Sequence, residues 1–261
     1  MPVKKSDTLI TFPVSTGTYK EMLNEIIESS HACISSNVCI ANVHMIVTAY
    51  QDKQFASIVK KADIVTPDGL PLTWAMRLVL GIKQTRVAGM NLLPDLICAA
   101  EASKIPVYFY GGTHAMLEAT CRHLSIHYPL LKIAGTYSPP FRTLTQDEEN
   151  EVANLINSSG AKMVFVILGC PKQEKWMDKM KNKISTVMIG VGGALPVLIG
   201  MQKRAPAWMQ KSGLEWLYRL LQEPKRLFWR YAVTNSLFIF LVARELIRVK
   251  IMGQKKAFQQ I

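Results

Sequence analysis

The chain has 261 residues, of which 49% are hydrophobic and 19% are charged, and its formal net charge is +12. This composition excludes an intrinsically disordered protein and suffices for one domain of moderate size with an appendage. Twelve of the 31 Lys and Arg residues, but only three of the 19 Asp and Glu residues, lie at or after Lys203. The basic character therefore belongs to the tail.

The five cysteines form no CxxC pair, which indicates reduced thiols in a cytosolic protein. The first 15 residues lack the continuous apolar stretch that a signal peptide needs. Tyr231–Ile247 comes closest to the roughly 20 apolar residues of a membrane span, but polar and charged residues interrupt it.

Short apolar runs alternate with helical patterns along most of the chain. The predicted strands, bounded by turn formers, are Asn37–Val43, Asp63–Thr66, Pro106–Tyr110, Lys132–Gly135, Met163–Leu168 and Val187–Val191. The predicted helices are residues 44–61, 70–80, 90–103, 113–127, 145–158 and 173–182. Thr145 and Glu148 form a capping-box signature at the start of the fifth helix.

Apolar strands separated by helices predict an α/β fold, a Rossmann-like and mostly parallel sheet with helices on both faces. Near residue 200 the pattern changes to Trp, Arg, Leu and Lys at helical spacing. We therefore predict an α/β core over residues 1–200 and a basic amphipathic helical appendage over residues 201–261.

Polar or glycine-rich turns follow five of the six predicted strands. Ligands of parallel sheets bind beyond the carboxyl ends of the strands, so these turns predict one composite pocket. The turns contain Asn42 and His44, Pro67–Gly69, Gly111 and Gly112, Gly169–Glu174, and Gly190–Gly193.

Asp68 follows the second predicted strand directly, in the segment TPDG. One interpretation is an aspartate that only shapes the turn before Gly69. The other is a general base at the floor of the pocket. The local sequence leaves both open.

The glycine turns have the same ambiguity, because each is either a tight turn or a place where the backbone approaches a nucleotide or phosphate. Gln173 is placed to hydrogen-bond a sugar or phosphate, and Glu174 either does the same or only favours the helix dipole.

The sequence has no DxD, no HExxH and no Cys/His ligand spacing, so we predict neither a metal nor another cofactor. Arginines of the tail are then the candidates for neutralising a diphosphate. Arg226 and Arg230 are four residues apart and share one helix face, and Arg219 lies shortly before them. The alternative interpretation is a solvated basic face.

Eight aromatic residues between Trp208 and Phe240 are interspersed among the cations of the tail. This combination is typical of a helix at an anionic lipid surface. Nucleic-acid binding would use the same charges, but the apolar segment LFIFLVA at residues 237–243 favours the membrane.

The motifs together resemble the WecG/TagA/CpsF family of glycosyltransferases from about residue 30 to residue 235. The segments that carry the resemblance are ANVHM (41–45), ADIVTPDGLP (62–71), RVAG (86–89), YGG (110–112), YP (128–129), SPPFR (138–142), LGCPKQEKWM (168–177), GVGGA (190–194), RAPAWMQ (204–210) and GLEWLYRLLQEPKRLFWRY (213–231).

The resemblance implies an inverting, metal-independent transferase of cell-surface polysaccharide synthesis at the cytoplasmic face of the bacterial inner membrane. It implies a UDP-sugar donor, a polyprenyl-diphosphate-linked sugar acceptor and an anionic membrane surface as partners, but no nucleic acid; a homo-oligomer stays open. The tail of the family is thought to close over the active site at the membrane.

The predicted site has three groups of residues. The resemblance implies Asp68 as the general base, Gln173 and Asn42 are predicted beside it as catalytic residues, and His44 and Arg86 are predicted contacts of the acceptor or the sugar. The strand-end turns and the tail arginines give the predicted donor and phosphate contacts: Gly111, Gly112, Gly169, Lys172, Glu174, Gly190, Gly192, Gly193, Arg219, Arg226 and Arg230.

Two positions depart from the family pattern. Ile40 stands where members often carry Thr, and Leu195-Pro196 stands where others have Phe-Asp. The SPPFR and NVHM forms are more similar to the exopolysaccharide branch, whose donors include UDP-glucose, than to the N-acetylmannosamine branch.

The alternatives to an enzyme are a non-catalytic, membrane-docked nucleotide-sugar binding protein and a nucleic-acid-binding module.

Overall fold

The computed structural model describes residues 6–258. The chain begins with an antiparallel hairpin, β1 (Ser6–Leu9) and β2 (Phe12–Ser15), followed by helix α1 (Tyr19–His31). No element was predicted before residue 37. The four-residue strands are too short to show periodicity, but α1 carries a capping box of Thr18 and Glu21 that could have revealed it.

The centre of the fold is a six-stranded sheet in the order β4-β3-β8-β7-β5-β6, and every neighbouring pair is parallel. This confirms the predicted α/β fold, and each predicted strand corresponds to an observed one. The strands are β3 (Ser36–Ala41), β4 (Ile64–Pro67), β5 (Val107–Gly111), β6 (Ile133–Tyr137), β7 (Met163–Ile167) and β8 (Val187–Gly190).

Helices connect the strands and cover both faces of the sheet, so alternate strand residues pack into two separate apolar clusters. The helices of this part are α2 (Val43–Gln51), α3 (Lys53–Lys60), α4 (Leu70–Leu80), α5 (Gly89–Ala102), α6 (His114–His127), α7 (Gln146–Ser158), α8 (Lys172–Met180) and α9 (Ala194–Leu198).

The single helix predicted over residues 44–61 is wrong, because two helices occupy this stretch. Asp52 lies between them with an extended backbone (φ −115°, ψ 103°). Its carboxylate accepts a hydrogen bond from the backbone N–H of Phe55 at 3.0 Å and caps α3. Asp is favoured at such caps because its short side chain reaches the free N–H groups of the first turn.

Three helices form the tail: α10 (Ala207–Lys211), α11 (Glu215–Gln222) and α12 (Pro224–Phe258). The predicted boundary near residue 201 falls in the irregular stretch between α9 and α10, and residues 259–261 of the predicted appendage lie outside the described residues. Helix α12 packs against α2 and α4. Its Phe238 and Leu241 are buried in the same apolar cluster as Met45 of α2.

No helix within residues 6–258 is both long enough and apolar enough to cross a membrane.

The burial of α12 leads to a first prediction, for the pair Leu241→Ala and Phe240→Ala. Leu241 is fully buried whereas its neighbour Phe240 is 59% exposed. Leu241→Ala should lower the free energy of unfolding by about 2–5 kcal/mol, because a buried cavity replaces the side chain. Phe240→Ala should change it far less, and urea unfolding measures both. If both substitutions change the free energy of unfolding by the same small amount, α12 unfolds separately from the rest of the chain.

Candidate functional site

A cavity of about 770 Å³ lies beyond the carboxyl ends of β3 and β4, between the core and the tail. This volume is typical of sites for small ligands. The core wall contains Asn42, His44, Asp68 and Arg86, and the tail wall contains Glu215, Arg219, Arg226, Arg230 and Tyr231. The structure thus brings together the predicted base, both predicted acceptor contacts and all three predicted arginines.

Asp68 follows β4 at the point where the chain turns into α4. Its backbone N–H donates to the carbonyl of Ala41 at 2.7 Å, which ties the ends of β3 and β4 together. Within residues 6–251 its carboxylate accepts no hydrogen bond, and α4 begins without a side-chain cap. An aspartate that shapes a turn normally accepts a hydrogen bond from the nearby backbone. The geometry therefore favours the carboxylate as a group that serves the cavity.

The surroundings of Asp68 weaken its acidity. Burial raises the pKa of this carboxyl to about 6, Arg86 and Arg219 oppose the rise, and Glu215 adds to it. A carboxylate with a pKa close to neutrality accepts a proton more readily than an ordinary aspartate does. A shift in this direction suits a carboxylate to general-base chemistry.

Arg86 links the core to the tail. Its guanidinium forms an ion pair with Glu215 of α11, a residue 129 positions away in sequence. It also donates to the carbonyl of Gln210 at 3.5 Å. Arg86 was predicted as a contact of the acceptor or sugar; it lines the cavity, but its partner in the structure is the tail. Sequence reasoning missed Glu215, whose one signal was an acidic residue in a strongly basic segment.

The three predicted arginines surround one side chain of α12. Burial raises the pKa of Tyr231, and the nearby positive charges of Arg219, Arg230 and Arg226 oppose the rise. Arg226 also forms an ion pair with Glu223 one turn earlier on the helix. Several guanidinium groups at one end of a cavity form a site suited to phosphate oxygens.

Gly193 follows β8 and permits the closest approach of Arg219. A Cβ atom at Gly193 would lie 2.5 Å from the Nη2 atom of Arg219. The backbone of Gly193 (φ −72°, ψ 4°) is one that any residue can adopt. Glycine at this position is therefore explained by the space that the guanidinium occupies, and not by backbone strain.

Asn42 and His44 lie at the start of α2. The side-chain oxygen of Asn42 accepts a hydrogen bond from the backbone N–H of Met45 at 3.1 Å and caps the helix. Burial and then the charge of Arg230 lower the pKa of His44, which favours a neutral imidazole. Its Nδ1 atom is buried without a hydrogen-bond partner in the described part of the chain.

Gln173 is buried and connects the ends of β7 and β8. Its side-chain oxygen accepts from the backbone N–H of Gly169 at 3.1 Å, and its Nε2 donates to the carbonyl of Gly190 at 3.1 Å. It also donates to the buried Glu174 at 2.8 Å, and burial raises the pKa of that carboxyl to about 7. The side chain of Gln173 thus holds the two strand-end loops that carry the glycines.

The remaining predicted contacts lie outside the cavity lining. A Cβ atom at Gly111 would lie 2.6 Å from the carbonyl oxygen of Ile167, so glycine there lets β5 and β7 end close together. Nine predicted residues do not line the cavity: Gln173, Gly111, Gly112, Gly169, Lys172, Glu174, Gly190, Gly192 and Gly193. Direct ligand contact stays a prediction for these residues, as it does for those that line the cavity. Within the described residues, no group of three His, Cys, Asp or Glu side chains could hold a metal ion.

Comparison with known proteins supplies independent information. The family model described as "Glycosyl transferase WecG/TagA/CpsF family" matches residues 8–251. Two similar proteins are both named N-acetylglucosaminyldiphosphoundecaprenol N-acetyl-beta-D-mannosaminyltransferase. The protein of Bacillus spizizenii is 32% identical over 208 residues, 79% of this chain and 78% of its own. The protein of Bacillus subtilis is 31% identical over 216 residues, 81% of this chain and 80% of its own.

The raised pKa of Asp68 predicts a dependence of stability on pH. The carboxyl binds its proton more tightly in the folded state than its ordinary pKa of 3.8 allows. The folded state is therefore destabilised progressively as the pH rises from about 4 to about 6, by about 3 kcal/mol in all. Asp68→Asn removes this cost. The variant should gain up to that amount relative to the wild type at pH 7.5.

Urea unfolding of both proteins at pH 4 and at pH 7.5 measures the difference. At pH 4 the wild-type carboxyl is protonated in the folded state, so the cost of burying its charge is absent. If the difference in unfolding free energy between variant and wild type is the same at both pH values, Asp68 has an ordinary pKa.

Proposed function

The chain belongs to the WecG/TagA/CpsF family of glycosyltransferases, and from this premise we propose that it transfers a sugar from a UDP-sugar to a lipid-linked acceptor. The proposed acceptor is N-acetylglucosamine on undecaprenyl diphosphate, and the proposed sugar is of the N-acetylmannosamine type. The names of the two relatives support this choice over a hexose such as glucose. The greater similarity of the SPPFR and NVHM motifs to the exopolysaccharide branch stays a prediction.

One observation carries the proposal: a carboxylate of the core and three guanidinium groups of the tail line the same cavity. Asp68 takes the proton from a hydroxyl group of the acceptor sugar. The hydroxyl oxygen forms a bond to the anomeric carbon of an α-linked donor, and the bond from that carbon to UDP breaks. A single displacement of this kind inverts the configuration and gives a β-linked product.

The tail arginines stabilise the charge that develops on the UDP leaving group. The guanidinium fork matches phosphate oxygens in geometry, and fixed charges in a cavity cost little reorganisation during the reaction. Backbone N–H groups near Gly193 would assist them. The proposal assigns charge neutralisation to these groups and includes no metal ion or other cofactor.

The surface of α12 supports a location at a membrane. Phe228, Trp229 and Phe240 are exposed among basic residues, which is the pattern of helices that lie on anionic bilayers. We place the protein at the cytoplasmic face of the inner membrane as a peripheral protein. Nucleic acid is not among its proposed partners, and a homo-oligomer stays a prediction.

The first test is Asp68→Asn. Loss of the base should lower kcat by roughly 10²–10⁴, while binding of UDP, measured by calorimetry, persists. In the wild type, kcat/KM should rise with pH through a limb centred near pH 6, because the ionised carboxylate is the active form. Asp147→Asn, the same chemical change at an exposed carboxylate that does not line the cavity, is the control.

Near-normal turnover of Asp68→Asn would remove Asp68 from the mechanism. A purified wild type that binds UDP-sugar but transfers no sugar to any acceptor would instead indicate a non-catalytic nucleotide-sugar binding protein.

The second test is Gly193→Ala, which adds a methyl group where the Arg219 guanidinium lies. The arginine can swing away, so the fold should persist. Loss of one charged hydrogen bond to phosphate should weaken UDP binding about 10- to 100-fold. In an Arg219→Ala background the same change should have no further effect, because the displaced group is already absent. A full effect in that background would show that Gly193 acts independently of Arg219.

A further inference from the structure

The lining of the cavity changes its chemistry along the length of α12. At every fourth residue, α12 presents Arg226, Arg230, Thr234, Phe238, Val242 and Leu246, and all six line the cavity. Residues four apart are neighbours on a helix surface, and the row winds slowly around the helix because four residues exceed one turn. The cavity wall that α12 contributes is therefore cationic near the start of the helix and apolar further along.

The apolar end is a groove between α12 and α4. Trp74 and Leu78 of α4 and Ile239 of α12 line it, and they are 51%, 63% and 67% exposed. From Thr234 to Leu246 the helix extends about 18 Å, at 1.5 Å per residue. Exposed large apolar side chains that line a concave surface mark a binding site for an apolar partner.

We propose that this groove, formed by Trp74, Leu78, Ile239, Val242 and Leu246, binds the first isoprene units of the acceptor's polyprenyl chain. The inference rests on the proposed function. It adds the lipid subsite, which neither the family description nor the relatives' names assign.

The continuity of the cavity supports this assignment, because Asp68 and the apolar groove line the same cavity. In the acceptor, the reacting hydroxyl and the hydrocarbon belong to one covalent chain, joined through the diphosphate. When the hydroxyl lies at Asp68, the hydrocarbon must therefore leave through the same cavity. A path along apolar side chains is the favourable one, since burial of each methylene contributes about 0.8 kcal/mol.

Two adjacent residues of α12 provide a matched pair for the test. Ile239 and Phe240 are similarly exposed, at 67% and 59%, but only Ile239 lines the cavity. Ile239→Glu therefore places a charge in the groove, whereas Phe240→Glu places one on the same helix outside it. Leu78→Glu changes the opposite wall. All three positions are exposed, and thermal unfolding of each variant verifies that the fold persists.

The experiment measures kcat/KM of the full chain for three soluble acceptors, without membranes. Each acceptor is N-acetylglucosamine diphosphate esterified to a methyl, a ten-carbon or a fifteen-carbon isoprenoid group, used below its micelle concentration. For the wild type, kcat/KM should be about 50-fold or more higher with the fifteen-carbon chain than with the methyl group, since each buried methylene contributes about fourfold. Ile239→Glu and Leu78→Glu should each reduce that ratio at least tenfold and leave the methyl acceptor unchanged. Phe240→Glu should keep the wild-type ratio.

Three results would overturn the inference. The first is equal kcat/KM for all three acceptors. The second is an equal reduction, in Ile239→Glu and Phe240→Glu, of the ratio of kcat/KM between the fifteen-carbon and the methyl acceptor. The third is a chain-length effect that appears only with added vesicles, which would make this face a surface for bilayer lipids. If the methyl acceptor is glycosylated in any of these cases, the proposed function stands and only the lipid subsite fails. If the wild type glycosylates none of the acceptors, both fail.

Discussion

Phe238 and Leu241 of α12 are buried in the same apolar cluster as Met45 of α2, and this packing positions two cations of the cavity, Arg226 and Arg230. The contact fixes the rotation of a 35-residue helix relative to the sheet. Once that rotation is set, Arg226 and Arg230 face the ends of β3 and β4, and Phe228 and Trp229 face away. Hydrophobic burial thus determines an electrostatic arrangement, since the cations lie on the same helix as the apolar anchor.

The electrostatics of the cavity reflect a balance between burial and paired charge. Arg86 and Arg219 would by themselves make Asp68 a weaker base, but burial and Glu215 outweigh them. Glu215 neutralises Arg86 directly through its ion pair. Arg86 consequently connects core and tail while disturbing the base less than an unpaired guanidinium would. Within the described residues, Arg219 and Arg230 form no ion pair and so are available to an anionic ligand, whereas Arg226 is paired with Glu223.

The sheet and the core residues of the cavity were predictable, whereas the wall that the tail contributes was predictable only in part. Apolar strands followed by polar turns are local patterns, and a parallel sheet places all strand ends at one edge, so Asn42 and Asp68 could be placed from sequence alone. Among the arginines, the helical spacing of Arg226 and Arg230 was visible. Their position in the same cavity as Asp68 was implied only by the family resemblance, because it depends on the tertiary packing of α12.

Contacts between distant segments account for the rest of what sequence reasoning missed. The pairing of Arg86 with Glu215 has no local signature. Gln173 was predicted to touch a ligand, and its pattern at a strand end fits that role, but its hydrogen bonds to Gly169 and Gly190 depend on how β7 and β8 lie side by side. The break at Asp52 was missed because a polar residue between two apolar helical runs fits one long amphipathic helix almost as well as two capped ones.

The two walls of the cavity have a consequence for biosynthesis. Asp68 lies in the first third of the chain, and Arg219, Arg226 and Arg230 lie in the last fifth. During translation the sheet and its strand-end turns can form while the helices that carry the guanidinium groups are still inside the ribosome. A nascent chain therefore acquires a folded scaffold before it acquires both walls of the cavity, and a message cut short near its 3′ end would yield a protein that has Asp68 but lacks Arg219, Arg226 and Arg230.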